Sequence, residues 1–160
     1  MSESTLESTL ESKSELTLEL RIRQLEDIEE IRNLTARFAH ATNRGFDGQT
    51  LDVEVMPEIY ASDARWEGPH YPTTQGLEAI MASFPEATSA VDVVMHSFMN
   101  PIITVTGDIA TGTWQLWLAS VWQGEFGAVY MNAELTYTRT TEGWRIQTVR
   151  EGEGKRGRFA

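Results

Sequence analysis

The spacing of apolar residues divides the chain into a helical first part and a strand-rich second part. From Ile22 they recur at three- and four-residue steps, which is typical of one buried helical stripe (Leu25, Ile28, Ile31, Leu34, Phe38 and Ala41). Asn43-Arg44-Gly45 then predicts a helix end, with Gly45 as a left-handed C′ residue. We expect a second helix over about Leu51–Tyr60, interrupted at Pro57, and a third over Gly76–Phe84, ended by Pro85.

After Pro85 the pattern becomes that of strands rich in β-branched and aromatic residues. Turn signals lie at Gly107-Asp108, at Gly124 and at Glu142-Gly143. The predicted strands are Val91–Phe98, Ile102–Thr106, Ile109–Trp122, Ala128–Arg139 and Trp144–Val149. Helices followed by a meander of strands predict an α+β fold with an antiparallel sheet.

The longest predicted strand, Ile109–Trp122, is not cleanly polar on either face. A sheet that is apolar on both sides must be covered on both sides. Helices can cover one side, and a second copy of the chain is the economical cover for the other. The pattern therefore predicts a homodimer formed through the sheet face.

The two ends of the chain differ in character from the middle. Residues 1–19 carry a tandem Glu-Ser-Thr-Leu and a glutamate at every fourth position from Glu3 to Glu19, so like charges would stack in a helix. We expect a mobile acidic tail over 1–19, with a partner-dependent helix as the alternative. One domain follows over 20–151, and residues 152–160, with a short basic run, are expected to be a C-terminal tail.

Composition excludes several functional classes. A formal net charge of −11 argues against nucleic acid and anionic membranes as partners, because both are bound through clustered Lys and Arg. There is no cysteine, hence no thiolate nucleophile, and the three histidines are too scattered for a His-x-x-x-His metal pair. No apolar run approaches the roughly 20 residues that cross a bilayer, and the acidic start is unlike a signal peptide. We therefore expect a cytoplasmic protein without metal or other cofactor.

Several segments, in order, resemble SnoaL-like proteins of the nuclear transport factor 2-like superfamily. Together they cover about residues 22–150, and they are Ile31–Asp47, Tyr60–Glu67, Gly76–Ile80, His96–Ile102 with Gly107–Gly112, and Gly143–Ile146. The resemblance implies a cone-shaped, curved antiparallel sheet with three N-terminal helices enclosing one apolar pocket. The pattern is most similar to the branch of scytalone dehydratase, bile-acid dehydratase and hexachlorocyclohexane dehydrochlorinase.

That branch implies a cofactor-free proton transfer by a histidine paired with a carboxylate at the end of the first helix. His96 matches the histidine, whose imidazole has a pKa suited to general base catalysis. Asn43 stands where the branch has aspartate, and an amide cannot take a proton at neutral pH. Asn43 could orient His96 or hold a substrate carbonyl. The alternatives are a buried structural histidine and a helix-capping asparagine.

Substrate-binding roles follow from the resemblance and from aromatic surfaces that suit hydrophobic ligands. The strand 128–139 lines the cavity in relatives, but parity alone does not decide whether Tyr130 and Asn132 or Met131 face inward. His70 lies in a loop that could cover the pocket, and Arg150 could stabilise a leaving group. The candidates are Phe38, Trp66, His70, Trp114, Trp117, Tyr130, Met131, Asn132 and Arg150. Ordinary core, surface or dimer contacts are the alternatives.

The leading hypothesis is a dehydratase-like lyase or isomerase that abstracts a proton from a hydrophobic small molecule, such as a polycyclic one. The alternatives are non-catalytic binding of such a molecule and an activity of the polyketide-cyclase or epoxide-hydrolase type. The hydrolase would need two carboxylates and a positioned water inside the cavity.

Overall fold

A computed structural model describes residues 3–69, 71–89 and 91–158. Along the chain the elements are α1 (Glu3–Thr42), α2 (Met56–Ile59), β1 (Tyr60–Gly68), β2 (Tyr71–Gln75), α3 (Leu77–Thr88), β3 (Val91–Thr106), β4 (Ile109–Trp122), β5 (Glu125–Thr140), β6 (Gly143–Glu151) and β7 (Lys155–Arg158). The fold is α+β, as predicted, with a curved, open sheet and helices on its concave, inner side.

The sheet has seven strands in the order β2-β1-β6-β5-β4-β3, and β7 extends β6 along the same edge of β5. All pairs are antiparallel except that of β1 with β6, which is parallel. A register shift near Asn100-Pro101 joins the two segments predicted as separate strands into the single strand β3. β3 is an edge strand. On the side away from β4, its residue Val94 forms an isolated β-bridge with Arg44, just after the end of α1.

Helix α1 departs from the prediction at its N-terminal end. Residues 3–19, expected to be a mobile tail, are helical, which matches the alternative of a helix; their mobility stays a prediction. Residues 17–26 are all exposed, so Ile22 and Leu25 do not belong to a buried stripe. Among the residues of α1 whose burial is described, burial begins at Asp27 and recurs to Thr42, because this part of the helix packs against the domain.

The other helices and the chain ends also differ from the sequence-based boundaries. The predicted second helix shrinks to the four residues Met56–Ile59. α3 continues through Pro85 to Thr88, whose hydroxyl donates to the carbonyl oxygen of Phe84 at 2.8 Å and supports the last turn. β1 and β2 were not predicted as strands. Lys155–Arg158, within the expected C-terminal tail, forms β7.

The core lies between the inner face of the sheet and the three helices. It is built from side chains of every layer, including Ile31 and Phe38 of α1, Ile80 of α3 and Leu135 of β5. Within the described residues, no helix combines the length and apolar character that crossing a membrane requires.

A clamp of polar side chains joins α1 to the β5–β6 hairpin. The buried carboxylate of Asp27 accepts hydrogen bonds from Arg139 at 2.7 Å and from the Trp144 indole at 3.1 Å. The Arg139 guanidinium also lies over the Trp144 ring, 4.4 Å from its centroid. The hydrogen bond from Arg139 lowers the pKa of Asp27, so the carboxylate stays ionised and holds the helix in place.

Candidate active site

The end of α1 places Asn43 beside β3. The backbone of Arg44 exchanges hydrogen bonds with Val94 at 3.1 and 3.0 Å, so the chain leaving the helix pairs with the strand. Gly45 follows with φ of +87°, and a Cβ at this position would lie 2.2 Å from the carbonyl oxygen of Asp92. Only glycine fits such a close approach. Gly45 has the predicted left-handed conformation, but it lies one residue beyond the predicted C′ position, which Arg44 occupies. The turn brings Asn43 opposite His96.

Hydrogen bonds fix the tautomer of His96. The Oδ1 atom of Asn43 accepts the backbone N–H of His96 at 2.6 Å, which identifies this atom as the amide oxygen. The same oxygen lies 3.2 Å from Nδ1 of His96. The Thr42 hydroxyl, which donates to the carbonyl oxygen of Phe38, lies 3.3 Å from Nδ1. Both neighbours act as acceptors, so Nδ1 carries the proton and Nε2 keeps a lone pair.

His96 is consequently a neutral base without an acidic partner. Burial lowers the pKa of His96 to about 4. No carboxylate within the described chain hydrogen bonds to its ring, and Nε2 has no partner among the same residues. Asn43 provides the orienting half of a histidine–carboxylate pair but not the charge.

His96 and Asn43 line a cavity of about 760 Å³ between α1 and β3. Its wall includes Phe98 and Trp114, whose rings meet edge to face with centroids 6.0 Å apart. The remaining lining residues come from α1, the turn after it and β3, and they are Arg32, Ala36, Ala39, His40, Phe46, Asp47, Gln49, Met95, Ser97 and Pro101.

A chain of buried hydrogen bonds holds the Trp114 wall. The indole N–H donates to the Tyr137 hydroxyl at 3.0 Å, which lies 2.8 Å from the Thr35 hydroxyl. Thr35 donates to the carbonyl oxygen of Ile31 at 2.9 Å. The Tyr137 and Thr35 hydroxyls therefore each accept one hydrogen bond and donate one. Because a Cβ on Gly112 would lie 2.8 Å from the indole nitrogen, the glycine leaves the space that this network needs.

One unsatisfied acceptor points to ligand chemistry. The Oε1 atom of Gln49 is buried, lines the cavity and has no hydrogen-bond partner within the part of the chain that is described. The loop that carries it is closed by two backbone hydrogen bonds, from Gly45 to Gln49 and from Gln49 to Phe46, each at 2.9 Å. A buried acceptor of this kind is satisfied by a ligand that donates a hydrogen bond.

The structure brings together only some of the predicted site residues. His96, Asn43 and Trp114 share the cavity, and Phe38 lies directly behind its wall, 5.6 Å from the Phe98 ring. Trp66 and Met131 lie on the inner face of the sheet and pack in or against the core. His70 lies outside the described residues. Gln49 and Phe98 also line the cavity but were not predicted as site residues, because Gln49 lies in an irregular turn and Phe98 in a strand whose two faces the sequence pattern did not separate.

Four predicted substrate-binding residues face away from the cavity. Met131 points inward, so its neighbours Tyr130 and Asn132 point to the outer face, as does Trp117, which stands opposite Tyr130. Arg150 is exposed on the same outer face and bonds to Glu67 at 3.0 Å. These four assignments are wrong, because the alternation of side chains along each strand turns them from the inner face.

Comparison with known proteins identifies the family and the fold of the chain. The model of the SnoaL-like domain matches residues 23–150. No curated protein matches the chain. Among solved structures, an NTF2-like protein with a cystatin-like fold from Novosphingobium aromaticivorans has 30% sequence identity and a TM-score of 0.72, over 84% of this chain and 86% of the other.

Two more distant structures share the fold. A hexachlorocyclohexane dehydrochlorinase (LinA, type 2) has 13% identity and a TM-score of 0.77, over 88% of this chain and 93% of the other. A candidate dehydratase of the NTF2-like family from Streptomyces avermitilis has 17% identity and a TM-score of 0.69, over 79% of this chain and 95% of the other. The extent of the family match shows that the chain belongs to the SnoaL-like domain family.

Proposed function

We propose that the protein is a cofactor-independent, dehydratase-like lyase or isomerase that abstracts a proton from a hydrophobic small molecule. The observation that carries the proposal is the tautomer of His96. Its Nδ1–H is held by Asn43, so the basic Nε2 belongs to a residue that lines an aromatic-walled cavity. A general base needs this combination of fixed orientation and an available lone pair.

In the proposed step, Nε2 of His96 takes a proton alpha to a carbonyl or beta to a leaving group. The electron pair of the broken C–H bond forms an enolate or a carbon–carbon double bond as the leaving group departs with its own bonding pair. Asn43 keeps the ring oriented while Nε2 gains the proton, and Phe98 and Trp114 bound the apolar part of the substrate. Arg150 has no part in this step, because it lies on the outer face.

The low basicity of His96 limits the substrates that we expect. A base with a pKa of about 4 favours a carbon acid that is already activated, such as a carbon next to a carbonyl or within a conjugated ring. Gln49 adds a hydrogen-bond acceptor, which suits a hydroxyl-bearing substrate. A hydroxylated, polyketide-like or steroid-like compound meets both conditions, and the scytalone and bile-acid dehydratase branch remains our proposal for its nearest relatives in chemistry.

The test is His96→Gln assayed against a panel of hydroxylated polyketide-like and steroid-like compounds. Loss of water, double-bond movement and exchange of the alpha proton for deuterium are followed by mass spectrometry and NMR. We expect turnover of a true substrate to fall by about 10²- to 10⁴-fold, the usual contribution of a general base. Glu134→Gln, at an exposed residue of β5 away from the cavity, is the control and should keep activity. Unchanged turnover in His96→Gln would refute the proposal.

Non-catalytic binding of a hydrophobic small molecule is the second candidate. It is favoured by the lowered pKa of His96 together with the uncharged partner Asn43. This candidate predicts that compounds from the same panel bind reversibly and are recovered unchanged after long incubation. Turnover that depends on His96 would exclude it.

We also propose that the outer face of the sheet pairs with a second copy of the chain. Large apolar side chains are exposed on or beside this face, among them Trp117 at 38%, Tyr130 at 43% and Ile109 at 62%. Light scattering should give twice the mass of one chain, and Tyr130→Glu should shift it toward the monomer. A wild-type monomer at high protein concentration would contradict this proposal.

A further inference from the structure

The loop that follows α1, residues 44–49, is attached to both of its neighbouring elements. At its start, the backbone of Arg44 pairs with Val94 of β3. Just beyond its end, the backbone N–H of Asp52 donates to the carbonyl oxygen of Ala41 at 2.9 Å. A loop that is held at both ends presents its side chains in defined positions before a ligand binds, which lowers the cost of ordering them on binding.

Gln49, at the end of this loop, carries a polar group that the proposed proton abstraction does not use. Its backbone is fixed by hydrogen bonds with Gly45 and Phe46, each at 2.9 Å. Its side-chain Oε1 atom is buried and has no hydrogen-bond partner among the described residues, although the residue lines the cavity. A buried acceptor without a donor costs free energy, and a ligand that donates a hydrogen bond recovers it.

The pairing of the loop with β3 brings Gln49 to the same region as His96. The loop is attached to β3 at Val94, and His96 lies two residues further along the strand, about 7 Å away. Residues two apart in a strand point to the same face, so the loop is attached on the side of β3 from which the imidazole projects. Both Gln49 and His96 line the one cavity. A molecule of one or two fused rings is long enough to contact both residues.

The chemistry of an amide oxygen indicates which hydroxyl group Gln49 binds. In an elimination, the oxygen of the leaving group gains negative charge as its bond to carbon breaks, so it is stabilised by an acid or a hydrogen-bond donor. The Oε1 atom of Gln49 only accepts hydrogen bonds. At the leaving oxygen it would add to the negative charge and oppose departure. The hydroxyl that Gln49 binds is therefore one that stays in the product.

We propose that Gln49 is a positioning residue that binds a retained hydroxyl group of the substrate, about one ring away from the carbon that reacts at His96. The hydroxyl donates a hydrogen bond to Oε1 of Gln49, and this contact directs the reacting carbon toward Nε2 of His96. The inference rests on the proposed function for the reacting end of the molecule. It adds the class of substrate, a fused-ring alcohol or phenol whose hydroxyl at Gln49 is distinct from the group that reacts.

The test compares the binding of 2-naphthol and 2-fluoronaphthalene by isothermal titration calorimetry. The two probes share a ring system and are similar in size, but only 2-naphthol donates a hydrogen bond. One satisfied acceptor is expected to make 2-naphthol bind the wild type about two- to tenfold more tightly. Gln49→Met should remove this preference and leave the affinity for 2-fluoronaphthalene unchanged, whereas Gln49→Glu keeps an acceptor and should retain it. Gln24→Met, the same substitution at an exposed residue of α1, is the matched control and should behave as the wild type.

Three results would overturn the role of Gln49: no binding of 2-naphthol, equal affinity of the wild type for the two probes, or an undiminished preference in Gln49→Met. Binding is measured without turnover, so the two proposals fail separately. Unchanged turnover in His96→Gln removes the proposed function, whereas a missing preference between the probes removes only the hydroxyl site at Gln49.

Kinetics with a substrate found in the compound panel test whether the bound hydroxyl is the retained one. Gln49→Met should raise KM about two- to tenfold, by loss of one hydrogen bond, and the product should still carry the hydroxyl. A fall in kcat as large as that of His96→Gln, at unchanged KM, would place the hydroxyl at the reacting centre and contradict the proposal.

Discussion

Replacing Asn43 by aspartate tests whether the missing charge sets the basicity of His96. Asn43 is buried, and its side-chain oxygen already accepts the backbone N–H of His96 at 2.6 Å and faces Nδ1–H at 3.2 Å. Asn43→Asp keeps the size of the side chain and both hydrogen bonds. It adds a negative charge about one hydrogen-bond length from the imidazole.

The expected shift follows from that distance. An opposite charge within about 4–6 Å raises the pKa of a histidine by roughly 1–3 units. The pKa of His96 should therefore rise from about 4 to between about 5 and 7. At about 1.4 kcal/mol per unit, the imidazolium gains roughly 1.4–4 kcal/mol. Burial opposes ionisation of the new carboxyl, but the backbone N–H of His96 favours its charged form.

NMR titration of the His96 ring measures the effect, with the resonance assigned from its loss in His96→Gln. Asn43→Ala is the matched control, because it removes the hydrogen bonds without adding charge. Its His96 should keep a low pKa, since burial is the cause of the shift. If the proposed function is correct, Asn43→Asp should also increase kcat and move the acid limb of the pH–rate profile upward. A folded Asn43→Asp with an unchanged His96 pKa would refute the reasoning.

Three further predictions concern stability. Burial raises the pKa of Glu151 to about 7 in the folded protein against 4.5 for the ordinary group, so the free energy of unfolding of the wild type should fall by up to about 3 kcal/mol as pH rises through this window. Glu151→Gln should abolish this fall. Identical pH dependence of urea unfolding in both proteins would contradict the prediction. The pKa of Asp27 is lowered, so its contribution to the free energy of unfolding is present above pH 3.8 and is lost as pH falls toward the folded-state pKa. The stability of Asp27→Asn, followed by circular dichroism, should therefore depend less on pH in this acid range. Tyr137→Phe leaves the Trp114 N–H without its acceptor and should cost about 1–3 kcal/mol, seen as a lower Tm; an unchanged Tm would show that the network is not stabilising.

Periodicity predicted most of the fold because long elements carry many repeats of the same signal. β4 begins and ends at the predicted residues, and the other long strands differ by a few residues at their ends. The prediction of short elements failed, because they contain too few repeats of such a signal. α2 has four residues, and β1 mixes apolar and charged positions without regular alternation, because it joins β2 and β6 across register shifts.

Site residues could be predicted where a motif at a known place along the chain identifies them. They could not be predicted where their direction depends on how one strand pairs with the next. His96 and Asn43 follow from the segments that resemble the family, and the structure places them in contact. Arg150 and Glu151 could not be distinguished, because a β-bulge between Ile146 and Thr148 arises from pairing with β5. Without the bulge, regular alternation from Ile146 would make Arg150 the inward-facing residue. A single inserted residue, invisible to a period-of-two pattern, exchanges a cation for an acid inside the cone.

Two partly buried titratable groups, His96 and Glu151, are both shifted toward their neutral forms. Ordinarily a carboxyl ionises at lower pH than an imidazolium releases its proton, so a pair of them carries two charges near pH 5 or 6. Burial reverses this order here, since the pKa of His96 falls to about 4 and that of Glu151 rises to about 7. Between these values both groups are mainly neutral, so the uncharged apolar ligand that we propose would meet no fixed charge from either of them. Asparagine next to His96 fits the same neutrality, because it orients the ring without adding a charge that would favour the imidazolium.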